Sequence, residues 1–396
     1  MATFRKRGTK WSYRIDLGVD PRTGKRDQPT ISRNGDYPNG FFTKKEAQNA
    51  ATQHQHEIDK GTYVQEKEIL FSEFVPMWMK SYGHNVKKGT VRVRTHESNH
   101  LKDFFEHTKM KNITKKMYQD ALNHFKDIGL SDSTVSGIHS TGRMIFSKAV
   151  ELDVIKIDPT AYAKIPKAQK TVEELETEEE IPKYLEKEEL NSFLKTARDQ
   201  GMRGDYAIFL TLSYSGVRAG ELCALKWSDI DFEEQTMSIT KTYYNPTNNT
   251  KEYFLETPKT KKSKRKIELE EIVLDELKKH KAAQNEVRMA YRGTYHDKGF
   301  IFVNDHLYPG YPFYIKKIEN RMSRLLKLAN LNETLTPHSL RHTHTSLLAE
   351  AGVGLTEIMD RLGHKDDDTT KNVYLHVTKT KKKEASQKFG ELMKNL

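Results

Sequence analysis

Sulfur chemistry is nearly absent from this 396-residue chain: its single cysteine, Cys223, rules out an internal disulfide framework and any metal site built from clustered cysteines. Cys223 falls in a helical apolar pattern and reads as a core residue. No long apolar run is present, so no membrane span is predicted, and Met1 to Lys10 is polar and basic with no apolar h-region behind it. The expectation is a cytoplasmic protein. The glutamate of an HExxH pattern is also missing: His338 and His342 stand one helical turn apart, but without further ligands they do not predict a zinc site. Acid is scarce at the amino end, where the first 26 residues hold eight Lys or Arg against two acids.

What is present points to a polyanion. Charged residues make up 31% and hydrophobic residues 36% of the chain, with a net charge of +11 and a pI near 9.2. That balance suits nucleic acid or an acidic membrane surface. The length predicts two or three domains rather than one core.

Taken in order, Trp11, Tyr13, Ile15 and Leu17 alternate with Ser12, Arg14 and Asp16, the pattern of a half-buried strand. A turn at Pro21 to Gly24 allows Gln28 to Arg33 to return as a second strand. Thr43 with Glu46 forms a capping box opening a helix to about Lys60. The sheet face bearing Arg14 has the width and charge to enter a major groove, or to serve only as a solubilising face. Residues 66–166 read as four helices with apolar faces at Phe71/Phe74/Val75/Trp78/Met79, Leu101/Phe104/Phe105, Tyr118/Leu122/Phe125 and Val135/Ile138/Gly142/Ile145/Ala149. Ser131 or Ser133 caps the fourth. Lys87, Lys88, Arg92 and Arg94, between the first two faces, are candidate phosphate contacts. Residues 167–183 then form an exposed linker, with six glutamates between Thr171 and Glu180. Helices are predicted at Lys187–Ala197 and Tyr206–Tyr214, and another opens at Arg218. A strand Thr236–Thr242, a return at Glu252–Glu256 and a third strand Lys266–Leu269 follow, before helices dominate to the end.

The candidate chemistry lies in this last region. Arg218 sits at a helix start after a glycine turn, where unpaired N–H groups suit a phosphate; a surface pair with Glu221, one turn along, explains it equally. Glu221 reads as orienting or structural. Lys259, Lys261 and Lys262 lie on a lysine-rich turn, any of which can reach a nucleic acid groove and donate a proton. His338 and Arg341, three residues apart, offer a proton acceptor and a forked pair of donors for phosphate oxygens. His364 follows Gly363, a C-cap after a predicted helix Leu355–Leu362, and reads as a capping or surface histidine or as a phosphate ligand. Tyr374, ten residues later, is a core aromatic unless nearby cations or a base activate its hydroxyl.

In combination, Ser215-Gly216-Val217-Arg218-Ala219-Gly220-Glu221-Leu222, Pro258-Lys259-Thr260, His338-Ser339-Leu340-Arg341-His342-Thr343, Leu362-Gly363-His364 and Tyr374 resemble the tyrosine recombinase family, in its order and spacing. Within that family the chain more closely resembles integrases of temperate phages and conjugative transposons. The resemblance spans nearly the whole chain and implies a multidomain α+β fold. Residues 1–63 would be an arm-type DNA-binding domain, a three-stranded sheet with a helix. Residues 66–166 would be an all-helical, SAM-like core-binding domain, and 184–396 a mostly helical catalytic domain with a small antiparallel sheet. The acidic run Lys365-Asp366-Asp367-Asp368 departs from the family pattern.

The resemblance further implies site-specific recombination without metal or other cofactor. Tyr374 would attack the scissile phosphate, Arg218 and Arg341 would stabilise the developing charge, and Lys259 would protonate the leaving 5′ oxygen. His338 would assist proton transfer and His364 would hold the phosphate. The expected partners are double-stranded attachment sites of arm and core types, further copies of the chain in a tetramer, an excisionase and a host DNA-bending protein. A type IB topoisomerase and an idle DNA-bridging protein are the alternatives. The tail, with Ala385, Phe389, Leu392 and Leu396 along one side, is expected to dock on a catalytic domain and restrain Tyr374.

Overall fold

The structure, a computed structural model, describes residues 2–19, 24–34, 36–59, 68–166, 184–258, 263–363 and 370–375. The chain divides into two compact units, Met1–Thr171 and Val172–Leu396. Lys259, Lys261, Lys262, His364, the 167–183 linker and the tail beyond residue 375 lie outside the described residues.

The first unit begins with an antiparallel sheet of β1 (Thr3–Arg7), β2 (Lys10–Arg14) and β3 (Thr30–Ile31), in that spatial order. Strand β1 was not expected from alternation, because Arg5, Lys6 and Arg7 hide the period under a continuous run of charge. Helix α1 (Lys44–Asp59) covers one face of this sheet, burying Ala47, Ala50 and Ala51 against Tyr13 and Phe41. It starts in the expected capping box: Thr43 Oγ1 accepts from the Glu46 amide at 3.2 Å, and Glu46 Oε2 accepts from the Thr43 amide at 3.1 Å.

A separate core in the same unit joins α2 (Phe71–Gly83), α3 (Lys88–Phe105), α4 (Lys115–Asp127) and α5 (Asp132–Glu151). Ser131 caps α5, its hydroxyl accepting from the Thr134 amide. The predicted apolar faces enter this core except at Phe104, which points outward with its ring 5.5 Å from that of His124. Leu101 and Phe105, one turn apart on α3, take the inward positions instead.

The second unit is built around α7 (Asp205–Ser215), which follows α6 (Lys187–Asp199) and is buried on nearly every side. Its hydroxyls satisfy themselves within the helix: Thr211 donates to the Ala207 carbonyl at 2.7 Å and Ser213 to that of Phe209 at 2.7 Å. A short helix, α8 (Ala219–Ala224), follows directly. Strands β4 (Ile230–Asp231), β5 (Thr236–Ile239) and β8 (Arg265–Glu268) form one antiparallel sheet; β6 (Thr242–Tyr244) and β7 (Phe254–Glu256) form a separate hairpin. The single strand expected over Thr236–Thr242 therefore breaks before Thr242. There the Lys241 ammonium turns to Asp229, 2.6 Å from Oδ1, and the chain leaves one sheet for the other. The unit is completed by α9 (Glu271–Ala290), α10 (Ile315–Leu328), α11 (Pro337–Glu350) and α12 (Leu355–Leu362), then a helical stretch at 370–375.

Candidate active site

Helix α7 ends on Gly216, whose φ of +64° is the left-handed cap that glycine adopts without penalty. A side chain there would meet two others: a Cβ would stand 2.7 Å from both His344 Cδ2 and Leu362 Cδ2. Two residues on, extended Arg218 begins α8. Its amide donates to Glu221 Oε2 at 3.1 Å and its Nη1 to Glu221 Oε1 at 3.0 Å. The pair foreseen as an alternative role for Arg218 therefore forms, yet the Arg218 side chain stays 39% exposed.

Arg341 rises from α11, where Pro337 occupies the first turn without needing an amide partner. It is 2% exposed, and its terminal nitrogens reach carbonyls of two other elements. Nη1 donates to Gly216 O and Nη2 to Leu362 O, each at 2.6 Å. Arg341 thus joins the turn that presents Arg218 to the last turn of α12, two residues before His364. Gly363 closes α12 in the left-handed region at φ +70°, as its sequence position predicts.

Tyr374 is half-buried, packed with Leu348 and Val353 against the cluster of Ala349, Ile358 and Leu362. The described members of that cluster come from α11, α12 and the turn between them; α11 carries Arg341 and α12 leads to His364. His338 is exposed at the start of α11, its ring 4.7 Å from that of His342, edge to face. Among the described residues, no group of three or more His, Cys, Asp or Glu is arranged to hold a metal. His344 is structural. Its Nδ1 donates to the Ser213 carbonyl at 2.9 Å and its Nε2 accepts from Arg361 Nε at 3.2 Å. Burial, then the Arg361 charge, pushes its pKa down to about 4, so the ring is neutral.

Two further participants carried no sequence signal beyond their positive charge. Arg265 pairs with Glu221, its Nη2 2.9 Å from Oε2, and its Nε donates to the Arg361 carbonyl at 2.8 Å. Arg361 in turn donates to the carbonyls of Tyr214 and Glu268. Nothing in spacing links positions so far apart in the chain. Burial opposes ionisation of Glu221, but Arg265 and then Arg218 overcome it and hold the carboxyl below its usual range.

Among the candidate nucleic-acid contacts, Arg14 lies on the sheet face opposite α1. The register puts Arg5 opposite Ser12, and Arg7 opposite Lys10, on that same face, which adds three cations to the one predicted. Lys88 and Arg92 are exposed on α3, and Lys87 stands at its N-cap position without a side-chain capping bond. Arg94 turns inward, its Nη1 2.8 Å from Glu97 Oε2 and 2.9 Å from Thr141 Oγ1, so an internal ion pair already engages it.

A model of the phage integrase family matches residues 183–381, one of the phage integrase N-terminal SAM-like domain matches 70–126, and one of an arm DNA-binding domain matches 3–58. The chain is 30% identical over 347 residues to the integrase of Staphylococcus phage L54a, covering 83% of this chain and 94% of that protein. It is 27% identical over 397 residues to the ICEBs1 integrase of Bacillus subtilis (strain 168), covering 96% and 97%. Its fold is similar to that of the Tn1549 transposon integrase in complex with a circular intermediate DNA, at TM-score 0.63 and 22% identity, covering 80% of this chain and 99% of that one. A lambda integrase tetramer bound to a Holliday junction gives TM-score 0.54 at 17% identity, covering 92% of each chain. With its arm-binding, SAM-like and catalytic parts in that order and a tyrosine within the matched catalytic region, the chain belongs to the phage integrase family of tyrosine recombinases.

Proposed function

We propose that this recombinase integrates and excises a mobile element by conservative strand exchange, with Tyr374 as nucleophile. The observation that carries the reading is the junction made by Arg341: one buried guanidinium holds both the turn presenting Arg218 and the helix end preceding His364, beside the helices that pack Tyr374. The tyrosine oxygen bonds to phosphorus as the bond to the 5′ oxygen breaks. Arg218 and Arg341 stabilise the charge that develops on the phosphate. The tyrosine proton passes toward His338, Lys259 protonates the leaving 5′ oxygen, and His364 holds a phosphate oxygen. The resulting 3′-phosphotyrosine conserves the bond energy, so a 5′-hydroxyl from the partner duplex reverses the step without any cofactor.

The same reading assigns residues 1–63 to arm sites, 66–166 to core sites and 184–396 to catalysis, with 167–183 as the linker. Arg14, Lys87, Lys88, Arg92, Lys261 and Lys262 contact DNA; Arg94, paired with Glu97, serves that role only if the pair opens. The likeness to a lambda integrase tetramer bound to a Holliday junction supports a tetramer exchanging strands through such a junction. An excisionase and a host DNA-bending protein would set direction, in the cytoplasm of a bacterial host.

The test is a nicked suicide duplex carrying the end junction of the element that encodes the chain. The native protein should form a covalent adduct through a 3′-phosphate, and Tyr374→Phe should form none. An adduct that persists in Tyr374→Phe moves the nucleophile elsewhere; relaxation of plasmids without exchange between them would make the protein a topoisomerase.

A further inference from the structure

Arg265 opens β8, directly after the segment that holds Lys259, and its side chain is 6% exposed. Its two terminal nitrogens fork onto Glu221, Nη2 to Oε2 at 2.9 Å and Nη1 to Oε1 at 3.3 Å. Nη1 also meets the Ser263 carbonyl at 3.2 Å, and Nε donates to the Arg361 carbonyl at 2.8 Å. One planar group therefore ties the start of α8, the return of the lysine turn and the end of α12.

The charge balance gives this tie a purpose. Glu221 is 4% exposed and ionised. A buried carboxylate facing Arg218 alone would neutralise that arginine and draw its guanidinium inward. With Arg265 on the same carboxylate, two guanidiniums oppose one negative group, and the centre keeps a net positive charge. Arg218 spends only its amide and Nη1 on Glu221; its Nε and Nη2 make no hydrogen bond among the described residues. We propose that Arg265 is a positioning residue for strand cleavage, absorbing the buried charge of Glu221 so that Arg218 remains available to the scissile phosphate. The inference rests on Arg218 as a phosphate ligand, the role given to it under the proposed function.

The test uses the full chain and the same nicked duplex, with affinity measured by gel shift and cleavage under single turnover. Arg265→Met should bind within about threefold of wild type but cleave roughly a hundredfold more slowly, the scale of losing one preorganised charge donor. Removing the carboxylate as well, in Arg265→Met/Glu221→Gln, should restore at least about tenfold of that loss, since coupled residues do not add. Cleavage by Arg265→Met at the wild-type rate overturns the inference. So does a double variant no faster than the single one, which would mark Arg265 as packing only. Should Arg265→Met lose binding and folding together, Arg265→Lys decides: it keeps the charge without the fork and should cleave within about tenfold of wild type. A greater loss in a well-folded Arg265→Lys overturns the proposal. A wild-type chain that forms no adduct overturns the catalytic reading and this inference with it, and it shows before any variant is compared.

Discussion

At the scale of single residues, surroundings decide chemistry more than identity does. His338, His342 and His344 occupy one helix within seven residues, yet His344 is sealed between the Ser213 carbonyl and Arg361 while His338 is exposed. The sealed ring has a pH signature. Its pKa lies at about 4 in the fold against 6.5 when exposed, so the unfolded chain binds a proton across that window and the folded one does not. Stability from this residue is therefore complete above pH 6.5 and is lost as the pH falls toward 4, on the order of 3 kcal/mol in all. Thermal unfolding of wild type between those pH values should show the slope, and His344→Asn, which keeps a donor for Ser213 but cannot titrate, should flatten it. An equal slope in both proteins would place the titrating group elsewhere. Spacing in the sequence cannot report what closes over such a ring, here the Ser213 carbonyl and Arg361.

At the scale of elements, local signals carried furthest where the chain itself supplies the partner. The start of α1 at Thr43, the cap of α5 at Ser131 and the bounds of α12 before Gly363 were all legible, since each depends on residues within one turn. Ser131→Ala should accordingly cost about 1 kcal/mol, read as a lower denaturation midpoint of the 1–171 unit, while cleavage chemistry is unaffected. No shift in that midpoint would mean that the Ser133 hydroxyl, 3.0 Å from that of Ser131, takes over the cap. The strands were less legible. β1 is hidden beneath its charges, and the break between β5 and β6 falls where Lys241 pairs with Asp229, a contact that strand periodicity does not announce. The candidate centre was legible only in part: Arg218, Arg341 and Tyr374 stood out by motif, whereas Arg265 acts through a carboxylate 44 positions away and Arg361 through His344, 17 positions away, and two distant backbone carbonyls. No periodicity encodes such links.

At the scale of the whole molecule, the excess positive charge is not evenly useful. The face bearing Arg5, Arg7, Lys10 and Arg14 belongs to the arm-type domain, far in sequence from the catalytic cluster. Replacing Arg5, Arg7 and Arg14 by Glu should abolish binding to an arm-type duplex and leave adduct formation on a core duplex within about threefold, because phosphate contacts contribute to affinity locally. The salt slope of arm binding should fall by roughly 0.9 for each phosphate that is no longer neutralised. Equal loss on both duplexes would show that the basic face serves the core site instead. The grip on the end of α12 has a different kind of reach. Arg341 and Arg265 hold Leu362 and Arg361 by their carbonyl oxygens, a group that every amino acid supplies. The address of that helix end is therefore written in main chain, and the side chains along its outer surface are at liberty to drift between hosts and elements while the joint beneath them stays closed.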